Sequence, residues 1–469
     1  MVFRWLFGIT VTLLVVLLGL SVIQGVQIPS QSGISCADCN VIIVGIDTLR
    51  ADRVHAFGYK NATTPNLDAL ASKSLSFTNA ISASSWTVPS FMSIMTGVYP
   101  SAHKVVNKYV VFNAQEQTLS NLEALSPEIM TLAEVMKEAG YATGGFTGDA
   151  GVSGQFGYKQ GFDVYTDEKA FGGLNNSAGH ALSWLDGLSK GTKFFMFYHG
   201  YDLHGQFDIS KDKQLFVPKN YAGPYTGSAL EEATLREDQL AGPLSFTASD
   251  IEFWSGLYDS KIHAADAEFG DFLKELEKRG LLEKTIIIVL SDHGEEYFEH
   301  EGIDHGQSLY DELVRVPLIV HVPDSAGGQK ISAQVSTMDV APTLFQILNL
   351  TPDSKFTAQQ QGRSLVPYFS EASSGHDVFI ETDYRDFIHL RGIRTADGWK
   401  YIFNFVNGAE QLYDLKADPV EKNNLVGSNP AKAADLKTKL FAHIRDDLDA
   451  DPSIRFDVGC LPVYPTECK

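Results

Sequence analysis

The chain has 469 residues, 44% of them hydrophobic and 20% charged, with a formal net charge of -21. This balance excludes a disordered chain, and the length suits a large α/β core with an appendage. The negative charge speaks against a nucleic-acid partner, which would need Lys and Arg to neutralise phosphates, and reads instead as solubility.

Arg4 precedes an apolar run from Trp5 to Ile23, close to the ~20 residues that span a bilayer. The run reads as an uncleaved anchor, with a long signal peptide as the alternative; no small-x-small cleavage site stands out near Ser21 to Gly25. The next basic residue is Arg50, so the positive-inside rule predicts an extracytoplasmic protein, membrane-anchored or secreted. Cys36 and Cys39 at one end, and Cys460 and Cys468 at the other, predict two disulfides in an oxidising compartment, with local pairing and an end-to-end clasp both open.

Residues 1–28 are thus an anchor or signal and 29–39 a linker. Buried strands are expected at Asn40–Ile46, Phe194–Tyr198, Thr285–Leu290 and Val316–Val320. Amphipathic helices are expected at Ile129–Ala139 and at Ala264–Arg279, the latter closed by Gly280. The alternation predicts a doubly wound, mainly parallel α/β sheet over residues 40–375. The stretch Phe207–Asp250 has few periodic signals and reads as a lid or rim. Residues 376–469 change character: strands near Asp377–Ile380, His389–Arg394 and Trp399–Phe403, then a helix from about Pro430 to Leu448, predict a small antiparallel sheet with one helix.

Three places carry chemistry. Asp47 ends the first strand, where parallel sheets present functional side chains. Thr87 stands before Pro89, which suits the first turn of a helix running to Gly97. A hydroxyl there faces free N–H groups that favour an anion, and a metal would make its alkoxide a nucleophile. Asp292-His293 follows another strand, and a carboxylate with an imidazole suits zinc or manganese. Taken alone, Thr87 reads as a helix cap and Asp292-His293 as a cap with a surface histidine. One metal held by Asp47, Thr87, Asp292 and His293 requires all of them together.

The segments Ile46–Arg53, Trp86–Ser90 with Thr96–Pro100, Ser291–Glu295, His305-Gly306 with Tyr310, Arg315–Pro317 and Gln411–Leu425 resemble, in order, the motifs of the sulfatase family in the alkaline phosphatase superfamily. The resemblance covers roughly residues 40–426. It implies an alkaline-phosphatase-like fold and a metal-dependent ester hydrolase. The chain departs from the family pattern at Thr87, where sulfatases carry the Cys or Ser that becomes formylglycine, and at Phe91, where they carry Arg. Thr48 replaces an acidic ligand, His293 an Asn, and Phe146–Gly151 lacks the expected Lys and His. These departures imply a threonine-nucleophile form, similar to phosphonate monoester hydrolases, phosphodiesterases and phosphoethanolamine transferases.

The resemblance also implies that His204 and His305 face the substrate and assist the leaving group. A second metal at Asp202, His204 and His305 is the alternative; His199, His300 and His321 read as structural or surface residues, and Lys104 and Lys108 as pocket or solvated lysines. The expected reaction is cleavage of a phosphodiester or phosphonate monoester through Thr87, with one divalent metal, Zn or Mn before Ca. Three rival readings remain: a sulfuric ester hydrolase, a phosphoethanolamine- or phosphoglycerol-type transferase, and a non-catalytic binding protein. The expected partner is a small anionic ester or a lipid or glycan head group.

Overall fold

The computed structural model describes residues 34–106, 111–113, 118–120, 124–205, 208–242, 244–325, 327–370, 373–385 and 388–450. The apolar run Trp5–Ile23, Lys108, Cys460 and Cys468 lie outside them. Among the described residues no helix is long and apolar enough to cross a membrane. Cys36 and Cys39 form a local disulfide, and Cys36 N–H donates to Ile347 O.

In chain order the central sheet has β1 (Asn40–Ile46), β2 (Leu75–Ile81), β3 (Ala142–Phe146), β4 (Val164–Thr166), β5 (Phe194–Gly200), β6 (Thr285–Leu290), β7 (Arg315–His321), β8 (Gln329–Ile331) and β9 (Val335–Ser336). Its order is β8-β2-β7-β6-β1-β5-β3-β4, with β9 also on β2. β1 lies in the middle, Val41 beside Phe195 on one side and Ile286 on the other, both pairings parallel. Only β7 runs against its neighbours among these strands. Its register on β2 shifts between Val316 and Leu318, around Pro317, which has no N–H to give the ladder.

Both faces of β1 are covered, which explains its unbroken apolar run. Val41 and Ile43 pack with residues of the helices Thr87–Thr96, Leu132–Glu138 and Val340–Leu348. Ile42 and Val44 pack with residues of Leu174–Gly187 and Ala248–Lys278. This is the doubly wound arrangement expected from the alternating pattern. The helix Leu132–Glu138 has a capping box between Thr131 and Glu134.

Three expectations need correction. β2, β3, β4, β8 and β9 were not anticipated: β3 is rich in glycine, and the others mix polar and apolar residues, so their run of hydrophobicity is weak. The helix expected from Ala264 begins at Ala248 and extends to Lys278. Its first half is buried through Phe253, Trp254, Leu257 and Tyr258, so it reads as an aromatic cluster before it reads as a helix. The stretch 207–250 contains the helix Ala229–Ala241, opened by a capping box of Ser228 and Glu231.

A second sheet follows, β10 (Val378–Tyr384), β11 (Ile388–Arg394), β12 (Trp399–Asn404) and β13 (Glu410–Asp414), all antiparallel. One face packs Tyr401, Phe403 and Leu412 on Leu436 and Leu440 of the helix Pro430–Ala450. The other packs Ile380, Leu390 and Ile402 on Ile81, Leu313 and Val314. Polar bonds reinforce that joint. Lys400, 0% exposed, reaches Asp311 Oδ1 at 2.6 Å and Glu421 Oε1 at 2.8 Å, and donates to Leu309 O. Replacing it strands a buried carboxylate, so Lys400→Met is expected to cost about 3–5 kcal/mol, read by urea unfolding at neutral pH.

Candidate active site

The four proposed metal-site residues converge at the carboxyl ends of strands. Asp47 follows β1 and Asp292-His293 follows β6, while Thr87 opens the helix reached from β2. Thr87 Oγ1 donates to Asp47 Oδ1 at 3.2 Å and stands 3.2 Å from His293 Nε2. His293 Nε2 lies 3.3 Å from Asp292 Oδ2 and 4.0 Å from Asp47 Oδ1. Thr87 is 1% exposed and the other three 0%.

Local structure explains each placement. Thr87 is the first residue of its helix and not its cap; Trp86 holds that position without a side-chain cap bond, so the threonine hydroxyl is released towards Asp47. Nor is His293 at the surface. Its Nδ1 lies 2.8 Å from Gly294 O, which as a carbonyl must accept. The proton therefore sits on Nδ1, and the Nε2 lone pair points at Asp47, Thr87 and Asp292. Gly294 is required by close approach, since a Cβ there would lie 1.9 Å from Glu312 O.

The two strand ends are tied together. Leu49 N–H donates to Ser291 Oγ, and that hydroxyl to His293 O. Arg50 donates to Glu295 O, Glu299 and Asp52. Thr48 sits at φ 58, a costly conformation for a β-branched residue, of the kind that collects at functional sites. Its Oγ1 is buried and has no hydrogen-bond partner.

The donor set fits a divalent metal. Oxygens of Asp47 and Asp292 and a nitrogen of His293 lie within 4.8 Å of one another, and the buried Asp292 Oδ2 accepts no hydrogen bond. Burial pushes the Asp292 carboxyl up and the His293 imidazole down to about 4. Such a cluster calls for a cation, and one imidazole among oxygens suits zinc or manganese.

His305 and His204 extend the site. The His305 ring centroid is 4.3 Å from that of His293 and 5.0 Å from that of His204. His305 Nδ1 meets Glu295 Oε1 at 3.1 Å and Asp304 Oδ1 at 3.0 Å, which fixes its proton on Nδ1 and turns Nε2 away from both. The alternative second metal set must be corrected. Asp202 Oδ2 accepts the Leu174 N–H at 2.7 Å, and the group able to hold an ion around His305 is Glu295, Asp304 and His305. Asp202 anchors the start of the helix Leu174–Gly187.

Sequence reasoning missed Asp304, given no role although it adjoins His305, and Glu295, visible only as the end of Ser291–Glu295. Arg236, whose Nε lies 3.1 Å from Asp304 Oδ2, is far off in the chain and had no local signal. His199 is 0% exposed, with Phe91 edge-on at 5.0 Å. His321 is half-buried and lies against Ser74, and His300 bonds Glu312. Lys104 follows the short helix Pro100–His103 at φ 61.

The sulfatase family profile matches residues 39–350, and the profile of the N-sulphoglucosamine sulphohydrolase C-terminal region matches residues 299–448. The chain belongs to the sulfatase family and is an ester hydrolase. It is 23% identical to the uncharacterized sulfatase YidJ of Escherichia coli, over 87% of each chain. It is 24% identical to arylsulfatase K of Bos taurus, over 86% of this chain and 81% of that protein, and 25% identical to an ulvan-active sulfatase of Formosa agariphila, over 83% and 77%. Among solved structures, a protein in complex with its substrate D-glucosamine-2-N,6-O-disulfate aligns with TM-score 0.70 and 21% identity, over 88% of this chain and 99% of that one. The phosphonate monoester hydrolase of Agrobacterium radiobacter aligns with TM-score 0.67 and 20% identity, over 87% and 96%.

His103 braces the helix Thr87–Thr96. Its Nε2 lies 3.2 Å from Pro89 O, while Nδ1 accepts the Val105 N–H at 3.0 Å. Burial holds the imidazole down at about 4, below the ~6.5 of an unfolded chain. The unfolded state therefore takes up the proton first on acidification. The His103 contribution is complete above about pH 6.5 and falls by about 3 kcal/mol as pH drops towards 4. Urea titrations at pH 7 and pH 4.5 are expected to show a smaller loss for His103→Gln than for the parent protein.

Proposed function

We propose that this protein is a divalent-metal-dependent hydrolase of a sulfuric ester carried by a small anionic glycan, with Thr87 as nucleophile. The observation that carries the chemistry is the Thr87 hydroxyl set within the ligand group, 3.2 Å from both Asp47 and His293. The support for a sulfuric ester is the family membership together with the curated relatives, named as an arylsulfatase and an ulvan-active sulfatase.

Asp47, Thr87, Asp292 and His293 would hold the metal, zinc or manganese before calcium, and it would lower the hydroxyl pKa and polarise the ester. Asp47 accepts the hydroxyl hydrogen bond and is placed to take the proton. Thr87 Oγ1 then bonds the central sulfur as the bond from sulfur to the leaving oxygen breaks. His305, when both of its ring nitrogens carry protons, would give that oxygen the one on Nε2, with His204 beside it. Water next attacks the sulfur, breaks its bond to Oγ1 and restores the threonine. An extracytoplasmic location through residues 1–28 belongs to the same proposal.

One observation favours a second reading. Threonine cannot become the aldehyde of the family, and with one hydroxyl it must release its covalent ester by attack of water at the central atom. That two-displacement route is open to a phosphonate monoester or phosphodiester as well.

The test is hydrolysis of p-nitrophenyl sulfate, a p-nitrophenyl phosphodiester and p-nitrophenyl phenylphosphonate by the full chain, chelated and then resupplied with Zn²⁺, Mn²⁺ or Ca²⁺. Sulfate turnover restored by Zn²⁺ or Mn²⁺ is expected. Turnover of the phosphorus esters alone would replace the first reading with the second. Thr87→Val is expected to lose activity about a thousandfold or more at unchanged thermal stability; a fully active variant would remove Thr87 from the reaction.

A further inference from the structure

A cavity of about 340 Å³ lies against the C-terminal sheet, beneath the segment Gln307–Tyr310. Its floor is Ile388, Leu390 and Ile402, and its walls carry four amides, Gln307, Asn404, Asn407 and Gln411. Among the described residues none of its lining side chains is charged. A neighbouring cavity of about 170 Å³ shares Gln307 and Ile388 with it and is lined by Arg236 and Asp304. Asp304 holds His305, whose ring lies 4.3 Å from His293. The smaller cavity thus ends at the acid that bonds His305, and the larger falls in the ~300–1,000 Å³ range of small-ligand pockets.

The amides are set in advance, each tied to the protein at one end. Asn404 Oδ1 accepts from Val406 N and Asn407 N, and Asn407 Oδ1 accepts from Ala409 N. Neither NH2 group has an acceptor among the described residues. Gln411 Nε2 donates to Tyr310 OH, and Gln307 Nε2 to Glu296 Oε2 and two backbone carbonyls. Neither carbonyl oxygen has a donor among the described residues. The wall therefore offers two fixed donors and two fixed acceptors above an apolar floor. A ligand that matches it is uncharged, has hydroxyls that both donate and accept, and has an apolar C–H face.

We propose that this cavity is a subsite for an uncharged sugar residue of a glycan whose ester group reaches the metal site through the smaller cavity. The link to the ester rests on the function proposed above; binding of the sugar itself does not. The enzyme is then selective for esters on oligosaccharides, and the C-terminal sheet supplies the selectivity.

The test separates the two claims. The full-length, metal-loaded protein is titrated calorimetrically with uncharged, ester-free tri- and tetrasaccharides of several linkages. At least one is expected to bind saturably. Asn404→Asp and Asn407→Asp keep the oxygen that their turns need and replace the open NH2 with an acceptor. Each is expected to bind the sugar tenfold or more weakly, with unchanged p-nitrophenyl ester turnover and an unchanged unfolding midpoint. Absence of binding across the panel overturns the subsite, as does equal binding by both folded variants. Sugar binding without any ester turnover would keep the subsite and sink the proposed reaction.

Discussion

Two carboxylates and an imidazole share one dry site at the end of the central strands, and the surrounding structure is organised by what that costs. Asp47, Asp292 and His293 are all fully buried, and burial opposes charge on Asp292 and His293 alike. Without a cation such a group is destabilising by several kcal/mol. On Asp292 the fold answers with backbone. Asp292 Oδ1 receives the Thr48 N–H, and the positive side chain closest in sequence, Arg50, is committed to Asp52, Glu299 and Glu295 O. Asp292 Oδ2 is thereby kept open for an ion.

The C-terminal sheet is mechanically part of this centre. Glu381 accepts from the backbone N–H and the hydroxyl of Ser101, at the start of the short helix Pro100–His103. Two residues later, His103 holds Pro89 O in the first turn of the helix Thr87–Thr96. Arg391 pairs with Asp383 on the same strand as Glu381, and Arg394 with Asp311, beside the buried Lys400. These pairs are desolvated, so each gives orientation more than net stability. The second ties the C-terminal sheet to the segment that leads into β7.

Much of this was legible in the chain. Apolar runs marked β1, β5, β6 and β7 because strands buried on both faces carry no polar alternation, and their ends marked Asp47 and Asp292. Thr87 was legible through Pro89 and Gly97, a helix start and a helix stop. The strands that escaped notice are the ones whose signal is not local: β2 mixes Ser, Thr and Asn with Leu, Phe and Ile, and its place is set by β7, more than two hundred residues on. The same holds for the surroundings of His305. Asp304 stands next to it in sequence, but Arg236 reaches it across a distance in the chain that no motif spans. The assignment of Asp202 to a metal failed because a carboxylate after a strand serves equally well to start the next helix, as it does for Leu174.

The loop after β3 bears on Thr87 in a further way. A Cβ on Gly151 would come 2.8 Å from Thr87 Cβ and 2.9 Å from its methyl carbon, and 3.0 Å from Tyr201 OH. The Cβ contact would remain if residue 87 were serine, so shaving the methyl away does not make room. Position 151 is thereby held to glycine whichever hydroxyl residue stands opposite. The surface facing the Thr87 side chain there is bare main chain, a fixed spacer that no side-chain rotation can alter.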